Sequence, residues 1–425
     1  MPTSRVVPKK RAVSAKGAEP SVKLSARGVL RLQGRHPWVY RSDVIAANGG
    51  ANDGDGSGVP SGAVVRVLDQ RGKFLGTALY SSSSQIAIRM ISHGSVPDLP
   101  ALVAERIRAA VAYRKDNNLV ANTNAYRIVF SEADFLPGLI VDRYNDVLSL
   151  QILTQAMDTA PVREAIVQTL QNELQPAGIV ERVEARIREL EQLPPQASRL
   201  LWGEKSATEV TMNGVRFHYD GLEGQKTGAF LDQRENYAAA AEHGRGEVLD
   251  AFCYQGGFAL HLALARTQES VARCSSVTGV DSSLPALEIA EKNAALNGRE
   301  LEWIEANAFD LLREYAAAGR HYDTIVLDPP AFAKSKRDLE KALGGYKELN
   351  LRAMKMLRPG GILVTCSCSY HVSAADFLAV VAGAARDAHK DLRIVESRGA
   401  SKDHPILLNV PETSYLQCLI LSVNN

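Results

Sequence analysis

The sequence lacks long hydrophobic runs, and no window approaches the eighteen consecutive apolar residues typical of a transmembrane helix. Its first 21 residues are basic and polar, without the apolar core of a secretory signal. Cysteine is scarce: five residues, an odd number without framework spacing, argue against a disulfide scaffold and for a reducing compartment. These absences predict a cytoplasmic protein with no membrane partner.

The net charge of +1 conceals an asymmetry along the chain. Residues 1–95 hold 14 Lys and Arg against 5 Asp and Glu, so the remainder carries an excess of acids. For the first 20 residues a solvated tail is the favoured interpretation. For the compact segment that follows, nucleic-acid binding is favoured over ordinary surface charge. Its arginines are Arg27, Arg31, Arg35 and Arg41.

The length of 425 residues predicts two or three domains. Residues 1–20 have no periodicity and are predicted to be a disordered basic tail. Residues 21–95 contain short β-type runs, VKLSARGVLRLQGRHPWVY, AVVRVLD, FLGTALY and QIAIRMI, around a Gly-rich loop, AANGGANDGDGSGVPSG. This pattern favours a small β-barrel. Residues 96–205, with a helix over 99–118, several strands and a helix capped by Thr159, are predicted to form a central α+β domain.

From residue 206 to 425 strands and helices alternate, beginning with the strand EVLDAF and ending with YLQCLILSV. This order predicts an α/β fold with a mostly parallel, doubly wound, Rossmann-like sheet covered by helices on both faces. Ligands in such folds bind at the carboxyl ends of the strands. The functional residues are therefore sought in the loops that follow each strand.

Three successive strand ends carry side chains suited to an adenosine-bearing cofactor. The first strand runs into Gly256 and Gly257, which allow a tight turn and close approach of a ligand to a helix N-terminus. The second ends in Asp281, which can accept hydrogen bonds from ribose hydroxyls. The third leads to Asn307 beside Ala308, where an amide and an apolar wall could hold adenine. Taken singly, each of these residues has an ordinary structural alternative, such as a helix cap or a turn residue. Without G-x-G-x-x-G spacing, together they predict an adenosine cofactor rather than a dinucleotide.

The fourth strand leads into Asp328-Pro329-Pro330-Ala331-Phe332. Prolines fix the backbone and remove amide donors, so they would hold the Asp328 side chain at the mouth of the cleft. A stiff polar corner of this kind can hydrogen-bond the edge of a planar base while Phe332 stacks on it. The alternative is a plain loop with two prolines, which would not need an acid at this strand end.

The next strand ends in TCSCS. Residues two apart on a strand point to the same face, so both Cys366 and Cys368 are expected to face the cleft. A C-x-C pair would hold zinc only with two more ligands nearby; no such cluster is apparent, and no metal is predicted. A nucleophile is the better interpretation at this position. The remaining cysteines are interpreted as inert buried residues, namely Cys253, Cys274 and Cys418.

A thiol at this position indicates which atom of the base is methylated. Carbon 5 of a pyrimidine is too weakly nucleophilic to take a methyl group from a sulfonium directly, whereas thiolate attack on carbon 6 makes carbon 5 electron-rich. Asp328 at the edge of the base would offset the charge that develops on N3. N-methyltransferases need no cysteine, so the thiols favour methylation of a pyrimidine at carbon 5.

At these residues the sequence resembles the RlmI-like family of class I rRNA methyltransferases, from about residue 21 to 425. GVLRLQGRHPWVYRSDV resembles the family's N-terminal PUA domain, a small RNA-binding β-barrel, and EADFLPGLIVDRYND resembles the hairpin of its central domain. Its catalytic half is matched in order by GQKTGAFLDQRENY, DAFCYQGGFALHLA, GVDSS, DPPAFAKSK, CSCS and DHP.

The resemblance implies S-adenosyl-L-methionine-dependent 5-methylation of a cytosine in large-subunit (23S) rRNA, with Cys368 as nucleophile and Asp328 as its catalytic partner. With the strand-end pattern, it predicts cofactor contacts from Lys226, Thr227, Gly228, Phe230, Asp232, Gln233, Arg234, Asp250, Cys253, Tyr254, Gly256, Gly257, Asp281, Ser282, Asn307, Ala308, Asp328 and Pro329. The predicted substrate contacts are Pro330 and Phe332 for the base, and Arg31, Arg35, His36 and Trp38 for the RNA.

Two departures from common patterns matter. Asn307 stands where an Asp is commoner, which changes the polarity of a cofactor contact. Many RNA cytosine-5 methyltransferases carry a second cysteine beside the proline motif; here Ala331 follows the prolines, so Cys366 or water would assist release, and the family shares this absence. Methylation of another RNA atom, such as a guanine nitrogen, is the first alternative. An RNA-binding assembly factor with a vestigial pocket is the second, and a homodimer is left open.

Overall fold

The computed structural model describes residues 19–49, 58–222, 229–333 and 336–424. Most of the predicted tail (1–20) and the centre of the Gly-rich loop lie outside this range. The chain divides into two compact units, Met1–Leu99 and Pro100–Asn425. Within the described ranges, no helix combines the length and the hydropathy needed to cross a bilayer.

The described part of the first unit is a mainly antiparallel sheet with a short helix. Its elements are β1 (Ser21–Leu24), α1 (Ala26–Gln33), β2 (Trp38–Tyr40), β3 (Val44–Asn48), β4 (Val64–Leu68), β5 (Phe74–Tyr80) and β6 (Ile86–Ser92). The strands are ordered β2-β6-β5-β4-β1-β3, with only the β1–β4 pair parallel. The strands predicted at β4, β5 and β6 are confirmed, and β3 extends into residues that were predicted as loop.

The prediction of a β-type run across ARGVLRLQ is wrong, because these residues form α1. The Ser25 hydroxyl accepts the main-chain N–H of Gly28 at 3.1 Å and caps the helix. Gly28 and Leu32 are four residues apart and form the buried face, while Leu30 and Arg31 point away from it. The alternation of apolar and basic residues resembled a strand, but the serine cap and the four-residue spacing favour a helix.

The second unit begins with a mixed α+β region. Its elements are α2 (Leu99–Asp116), β7 (Ala125–Phe130), β8 (Leu139–Tyr144), β9 (Val147–Ile152), α3 (Ala160–Leu174), β10 (Gly178–Glu181), α4 (Ala185–Leu190) and β11 (Arg199–Gly203). The strands form a sheet in the order β11-β10-β9-β8-β7. The predicted helix over 99–118 is confirmed as α2, whereas α4 and β11 were not predicted. Thr159 occupies the N-cap of α3, but its hydroxyl donates to the carbonyl of Ala156 and caps no helix N–H.

The remainder of the second unit contains the large sheet. Its elements are β12 (Ala207–Met212), β13 (Val215–Asp220), α5 (Arg234–His243), β14 (Gly246–Ala251), α6 (Gly257–Leu264), β15 (Cys274–Asp281), α7 (Leu284–Leu296), β16 (Glu302–Glu305), α8 (Ala308–Ala317), β17 (Tyr322–Leu327), α9 (Leu339–Met356), β18 (Leu357–Ser367), α10 (Ala374–Asp387), β19 (Leu392–Arg398) and β20 (Gln417–Val423). The hairpin β12–β13 and helix α5 were not predicted.

The large sheet has the order β16-β15-β14-β17-β18-β20-β19. Its first five strands are parallel, and β20 runs antiparallel to both of its neighbours. Consecutive residues of the central strand β14 enter two different cores: Val248 packs with α5 and α6, and Leu249 packs with α8, α9 and α10. Burial on both faces is what a doubly wound parallel sheet requires, and the predicted fold is confirmed.

A buried ion pair ties α2 to segments distant in sequence. The guanidinium of Arg114 is almost fully buried and forms two contacts with the Asp134 carboxylate, with Nη2 donating to Oδ2 at 2.8 Å. The same Nη2 donates to the main-chain carbonyl of Asp403 at 2.8 Å. A buried charge of this kind is tolerated only while its partner remains in place.

Replacing Asp134 with alanine would leave the Arg114 guanidinium buried without its carboxylate. We expect the free energy of unfolding to fall by about 3–5 kcal/mol, measured by urea unfolding with circular dichroism. Arg313→Ala is the matched control, because Arg313 pairs with Asp310 on an exposed helix surface. In Arg313→Ala the free energy of unfolding should fall by no more than about 1 kcal/mol. Equal falls in the two variants would contradict a stabilising role for the buried ion pair.

Candidate active site

The carboxyl ends of the parallel strands meet at one edge of the large sheet. Ala251 at the end of β14 pairs with Val280 of β15, and Asp281 pairs with Glu305 at the end of β16. On the other side, Leu327 at the end of β17 pairs with Thr365 near the end of β18. The loops that follow these strands therefore open onto a common cleft.

The loop after β14 has an unusual backbone. Phe252 and Tyr254 have positive φ angles of 71° and 50°, and Gly256 has a φ of 85°. Left-handed conformations cost free energy for residues with a side chain and cluster at functional sites. A Cβ added to Gly257 would lie 2.6 Å from the hydroxyl of Tyr237, so this position accepts no side chain. The predicted glycine corner is thus a tight turn at the start of α6, in which Gly256 and Gly257 carry no side chain.

Asp281 joins two of the strand-end loops. Its Oδ2 accepts the main-chain N–H of Tyr254, and its Oδ1 accepts that of Ser283, both at 2.9 Å. Each carboxylate oxygen has a second lone pair available for a ligand. Ser282 beside it is exposed, and the main-chain N–H of Cys253 donates to Val280 at 2.9 Å.

Asp250 lies beneath the same corner and is fully buried. Its Oδ2 accepts the main-chain N–H of Ala259 in the first turn of α6, while Oδ1 has no hydrogen-bond partner among the described residues. Burial raises the pKa of Asp250 well above its usual value, and the charges of Asp328 and Asp281 add to the rise. An unmatched buried acceptor at this corner suits a cationic or hydrogen-bond-donating ligand.

Asn307 is the N-cap of α8. Its Oδ1 accepts the main-chain N–H groups of Phe309 at 2.9 Å and of Asp310 at 3.4 Å. The capping function considered for this residue is therefore present, and its amide NH2 is the group it can offer a cofactor. Ala308 is buried in the adjoining core, and the Phe309 ring lies between those of Phe252 and Phe332.

The segment that follows β13 approaches the glycine corner from the other side. Of its predicted cofactor contacts, Lys226, Thr227 and Gly228 lie outside the described residues. The Phe230 ring lies edge-on to that of Tyr254, with centroids 5.1 Å apart, and both side chains are half-buried. The next residue of the predicted set, Asp232, is also half-buried and accepts a hydrogen bond from the Tyr415 hydroxyl at 2.5 Å.

Gln233 and Arg234 point into the protein. Gln233 accepts a hydrogen bond from the Asn236 amide at 2.7 Å, and Arg234 contacts the Asp403 carboxylate at 3.2 Å. Both side chains are almost fully buried. The structure thus brings Phe230 to the glycine corner, leaves Asp232 half-buried beside Tyr415 and directs the next two side chains into the protein. A cofactor contact from Asp232, Gln233 or Arg234 stays a prediction.

The loops after β17 and β18 are joined at the predicted reaction site. The Cys368 thiol donates to the main-chain carbonyl of Pro329 at 3.8 Å, and Cys368 and Asp328 are both half-buried. The Ser369 hydroxyl accepts the N–H groups of Phe332 at 3.0 Å and Ala333 at 3.4 Å. These contacts hold the proline loop against the cysteine.

The expectation that both thiols face the cleft is wrong for Cys366. Its side chain is fully buried in the core on the α5–α6 side of the sheet, where it is paired in register with Cys418 of β20. Burial raises the pKa of Cys366 well above its usual value, with further contributions from Cys418 and the charge of Asp328. The two cysteines are two residues apart and were therefore expected on the same face of the sheet, but helices cover Cys366 and leave Cys368 at the rim.

Phe332 is less free than its predicted stacking function requires. Its ring packs against Tyr346 with centroids 4.8 Å apart and is half-buried in the core. Pro330 beside it is exposed. Stacking of a base on the outer face of Phe332 stays a prediction.

The first unit, taken by itself, groups the predicted RNA contacts. Arg31 Nη2 lies 3.0 Å from His36 Nε2, and its guanidinium lies 4.8 Å from the centroid of the Tyr40 ring. The His36 and Trp38 rings lie 5.4 Å apart, and Arg35 Nη1 lies 2.9 Å from Nε2 of His93. Arginines interleaved with aromatic rings suit nucleic acid, which offers phosphates and base faces.

The other two arginines of the basic segment are used internally. Arg27 forms an ion pair with the buried carboxylate of Asp43 at 2.7 Å. Arg41 donates to the main-chain carbonyls of Ser81 at 2.7 Å and of Ser84 at 3.0 Å. Arg31 Nε likewise donates to the main-chain carbonyl of Trp38 at 3.0 Å, whereas the Arg27 side chain stays 72% exposed, so these contacts do not restrict the predicted basic surface to two of the four arginines.

The cleft residues fit an adenosine cofactor that carries a cationic amino-acid group. Asp281 offers carboxylate lone pairs of the kind that ribose hydroxyls require. Asp250 offers the unmatched oxygen Oδ1, and Gly256 is the N-cap of α6, whose first main-chain N–H groups have no partner within the helix. These acidic, hydrogen-bond-accepting groups suit S-adenosyl-L-methionine better than a pyrophosphate-bearing dinucleotide.

Two residues of the site were missed by the sequence analysis. Ser369 holds the proline loop and also contacts the Tyr346 hydroxyl at 2.9 Å, and its position next to Cys368 in CSCS was the available signal. Tyr415 lies just before β20 and contacts Asp232. Nothing local marks Tyr415, because its partner is nearly two hundred residues away.

Two solved structures share this architecture. The crystal structure of SMU.776, a methyltransferase complexed with SAH, has a TM-score of 0.77 and 17% sequence identity, covering 95% of this chain and all of that one. A SAM-dependent methyltransferase from Streptococcus mutans gives the same values. At this level of identity the likeness concerns the fold.

Sequence comparisons are more specific. Residues 22–93 match the PUA-like domain family, and residues 140–420 match the S-adenosylmethionine-dependent methyltransferase family. The ribosomal RNA large subunit methyltransferase I of Shewanella denitrificans is 37% identical over 95% of this chain and 99% of its own length. The protein of the same name from Photobacterium profundum is 36% identical over 91% and 95%. The chain therefore belongs to the S-adenosylmethionine-dependent methyltransferase family, within its RlmI-like group that carries an N-terminal PUA-like domain.

Proposed function

We propose that this protein methylates carbon 5 of a cytosine in large-subunit (23S) rRNA through a covalent adduct with Cys368. The relatives are named ribosomal RNA large subunit methyltransferase I, which supports rRNA as the substrate. The observation that carries the choice of atom is the position of the Cys368 thiol, half-exposed at the rim and in contact with the Pro329 carbonyl. A methyltransferase acting on a nitrogen has no use for a thiol there.

In the proposed mechanism the target base is flipped from the RNA and held against the proline loop. The Cys368 thiolate forms a bond to carbon 6, and the electrons of the 5,6 double bond shift toward carbon 5 and N3. The Asp328 carboxyl group, placed at the base edge, donates a proton to N3 as this charge develops, and N3 returns that proton to Asp328 when the sulfur leaves. S-adenosyl-L-methionine supplies the electrophilic methyl group that carbon 5 accepts. Loss of the carbon-5 proton then restores the double bond and expels the sulfur.

The basic cluster of the PUA-like domain supplies the RNA affinity in this proposal. Arg31 and Arg35 would contact phosphates, and Trp38 and His36 would contact bases or sugars. Phosphate contacts are salt-sensitive and carry little sequence information. The choice of nucleotide is therefore assigned to the cleft and to the RNA fold.

We also infer the domain limits and the compartment. The PUA-like domain spans 21–95, a central α+β domain spans 96–205, and the methyltransferase domain spans 206–425. The five cysteines are free thiols, which supports a reducing compartment, the cytoplasm.

Cys368→Ala should abolish methylation of cytosine, with a fall in rate of at least about a thousandfold, because carbon 6 then has no nucleophile. The measurement is methyl transfer to unmodified 23S rRNA, followed by mass mapping of the modified nucleoside. Cys274→Ser is the matched control, since Cys274 lies at the start of β15, far along the strand from the carboxyl edge. A near-normal rate in Cys368→Ala would instead favour methylation of a guanine nitrogen.

Asp281→Ala should weaken binding of S-adenosyl-L-methionine by about 10- to 100-fold, because hydrogen bonds to a carboxylate contribute about 1.5–3 kcal/mol. Isothermal titration of the purified protein measures this directly. Asp387→Asn, on the surface of α10 beside Lys347, should bind as the wild type does. An unchanged Kd in Asp281→Ala, or no binding by the wild type, would contradict the cofactor site.

Arg35→Ala should weaken RNA binding at low salt and reduce the slope of log affinity against log salt by about 1. The measurement is a filter-binding titration of a 23S rRNA fragment at several salt concentrations. Arg71→Ala, in the exposed turn between β4 and β5, is the matched control. Equal slopes for Arg35→Ala and the wild type would remove the basic cluster from the RNA interface.

A further inference from the structure

Asp232, for which the sequence predicted a cofactor contact, forms a pair with Tyr415 that has no role in the mechanism above. The Tyr415 hydroxyl donates to Asp232 Oδ2 at 2.5 Å, the short distance expected when the acceptor is charged. Both side chains are half-buried, whereas their chain neighbours Gln233 and Leu416 are buried. The pair is therefore partly accessible.

The surroundings fix the pair in place. The main-chain carbonyl of Asp232 accepts the N–H of Ser401 at 2.7 Å and its hydroxyl at 3.0 Å. The Tyr415 ring packs against the Phe130 ring, with centroids 6.2 Å apart. A group held from both sides is suited to act at one defined point in the cleft.

The electrostatic environment connects the pair with the nucleophile. Burial raises the pKa of Tyr415 well above its usual value, the charge of Asp232 adds to the rise, and the thiolate form of Cys368 adds further. Tyr415 therefore keeps its proton at neutral pH and hydrogen-bonds the Asp232 carboxylate. The register of β18 and β20 pairs Ser367 with Gln417, so Tyr415, two residues before Gln417, lies at the same end of the sheet as Cys368, one residue after Ser367.

The proposed reaction places a stereochemical demand on the step that ends it. Sulfur adds to carbon 6 from one face of the ring, and the methyl group arrives at carbon 5 from the opposite face. The carbon-5 proton is then left on the face that carries the sulfur. Its acceptor must lie beside Cys368, on the side away from the methyl donor.

Other groups near the nucleophile are poor acceptors. Cys366, the candidate considered from sequence, is fully buried in the core with a raised pKa. Asp328 is assigned to the base edge, and Ala331 stands where related enzymes carry a second cysteine. The tyrosine–aspartate pair lies at the same end of the sheet as Cys368 and contains a carboxylate that can accept the proton.

We propose that Tyr415, backed by Asp232, removes the carbon-5 proton and so releases Cys368, an inference that rests on the proposed function. The Tyr415 oxygen takes the proton from carbon 5 as its own hydroxyl proton passes to the Asp232 carboxylate. The electrons of the C5–H bond form the 5,6 double bond, and those of the C6–S bond return to Cys368 as a thiolate. Asp232 then loses its proton to solvent.

The test uses the full-length protein and an rRNA fragment labelled with tritium at carbon 5 of cytosine. In Tyr415→Phe, tritium release should fall by about 10²- to 10⁴-fold, the usual contribution of a general base. Methylated RNA should accumulate as a protein adduct that survives denaturing electrophoresis. Asp232→Asn should show the same adduct, and the double variant Tyr415→Phe/Cys368→Ala should show none.

Tyr322→Phe is the matched control, because Tyr322 is the first residue of β17 and lies at the amino ends of the parallel strands, away from the cleft. This variant should release tritium normally. Wild-type release of tritium with no adduct in both Tyr415→Phe and Asp232→Asn would overturn the inference. Loss of methylation without an adduct in folded variants would also overturn it, since the pair would then act earlier.

The underlying function is tested separately in the same assay. Wild-type protein with 5-fluorocytosine RNA should form a Cys368-dependent adduct, because fluorine cannot leave as a proton. If this adduct and the 5-methylcytosine product are both absent, the proposed function itself fails, whatever the Tyr415 variants do.

Discussion

Two neighbouring strands that end at the same level impose the constraint on which the active site depends. The pairing of Leu327 with Thr365 places the proline loop after β17 beside the cysteine loop after β18. Pro329 and its neighbour have no N–H to donate, so the loop cannot be held by a regular ladder. The Ser369 hydroxyl provides that restraint by accepting amides from the far end of the loop. The Cys368 thiol is thereby set against a backbone with little freedom to move.

A second constraint comes from a fully buried carboxylate outside the strands. Asp403, in the DHP motif, accepts hydrogen bonds from Arg234 and from the main-chain N–H of Arg127. Burial on its own would raise the pKa of Asp403, but the charges of His404 and Arg234 hold it well below its usual value. The ionised Asp403 carboxylate thus joins the sheet of the central region, through Arg127, to the segment that carries Asp232, through Arg234. Ordering of the cleft and folding of the central region are physically linked.

The sequence predicted the fold well, because strand and helix periods and glycine corners are local signals. It also located Asp281 and Cys368 correctly at the carboxyl edge, since parallel strands place such residues together. The prediction failed for Cys366. The alternation of side chains along a strand shows which face of the sheet a residue lies on, but it does not show whether a helix covers that residue. The prediction also missed Tyr415, whose contact with Asp232 exists only after the chain has folded.

The unequal burial of the cysteines has a chemical consequence. All five lie in the described residues, and Cys368 alone is half-exposed while the others are buried. Burial also raises the pKa of Cys274 to about 11 and that of Cys253 well above its usual value. Alkylating reagents and peroxides attack accessible thiolates. One atom of this protein therefore serves as its point of vulnerability to electrophiles and as a natural attachment site for a covalent probe.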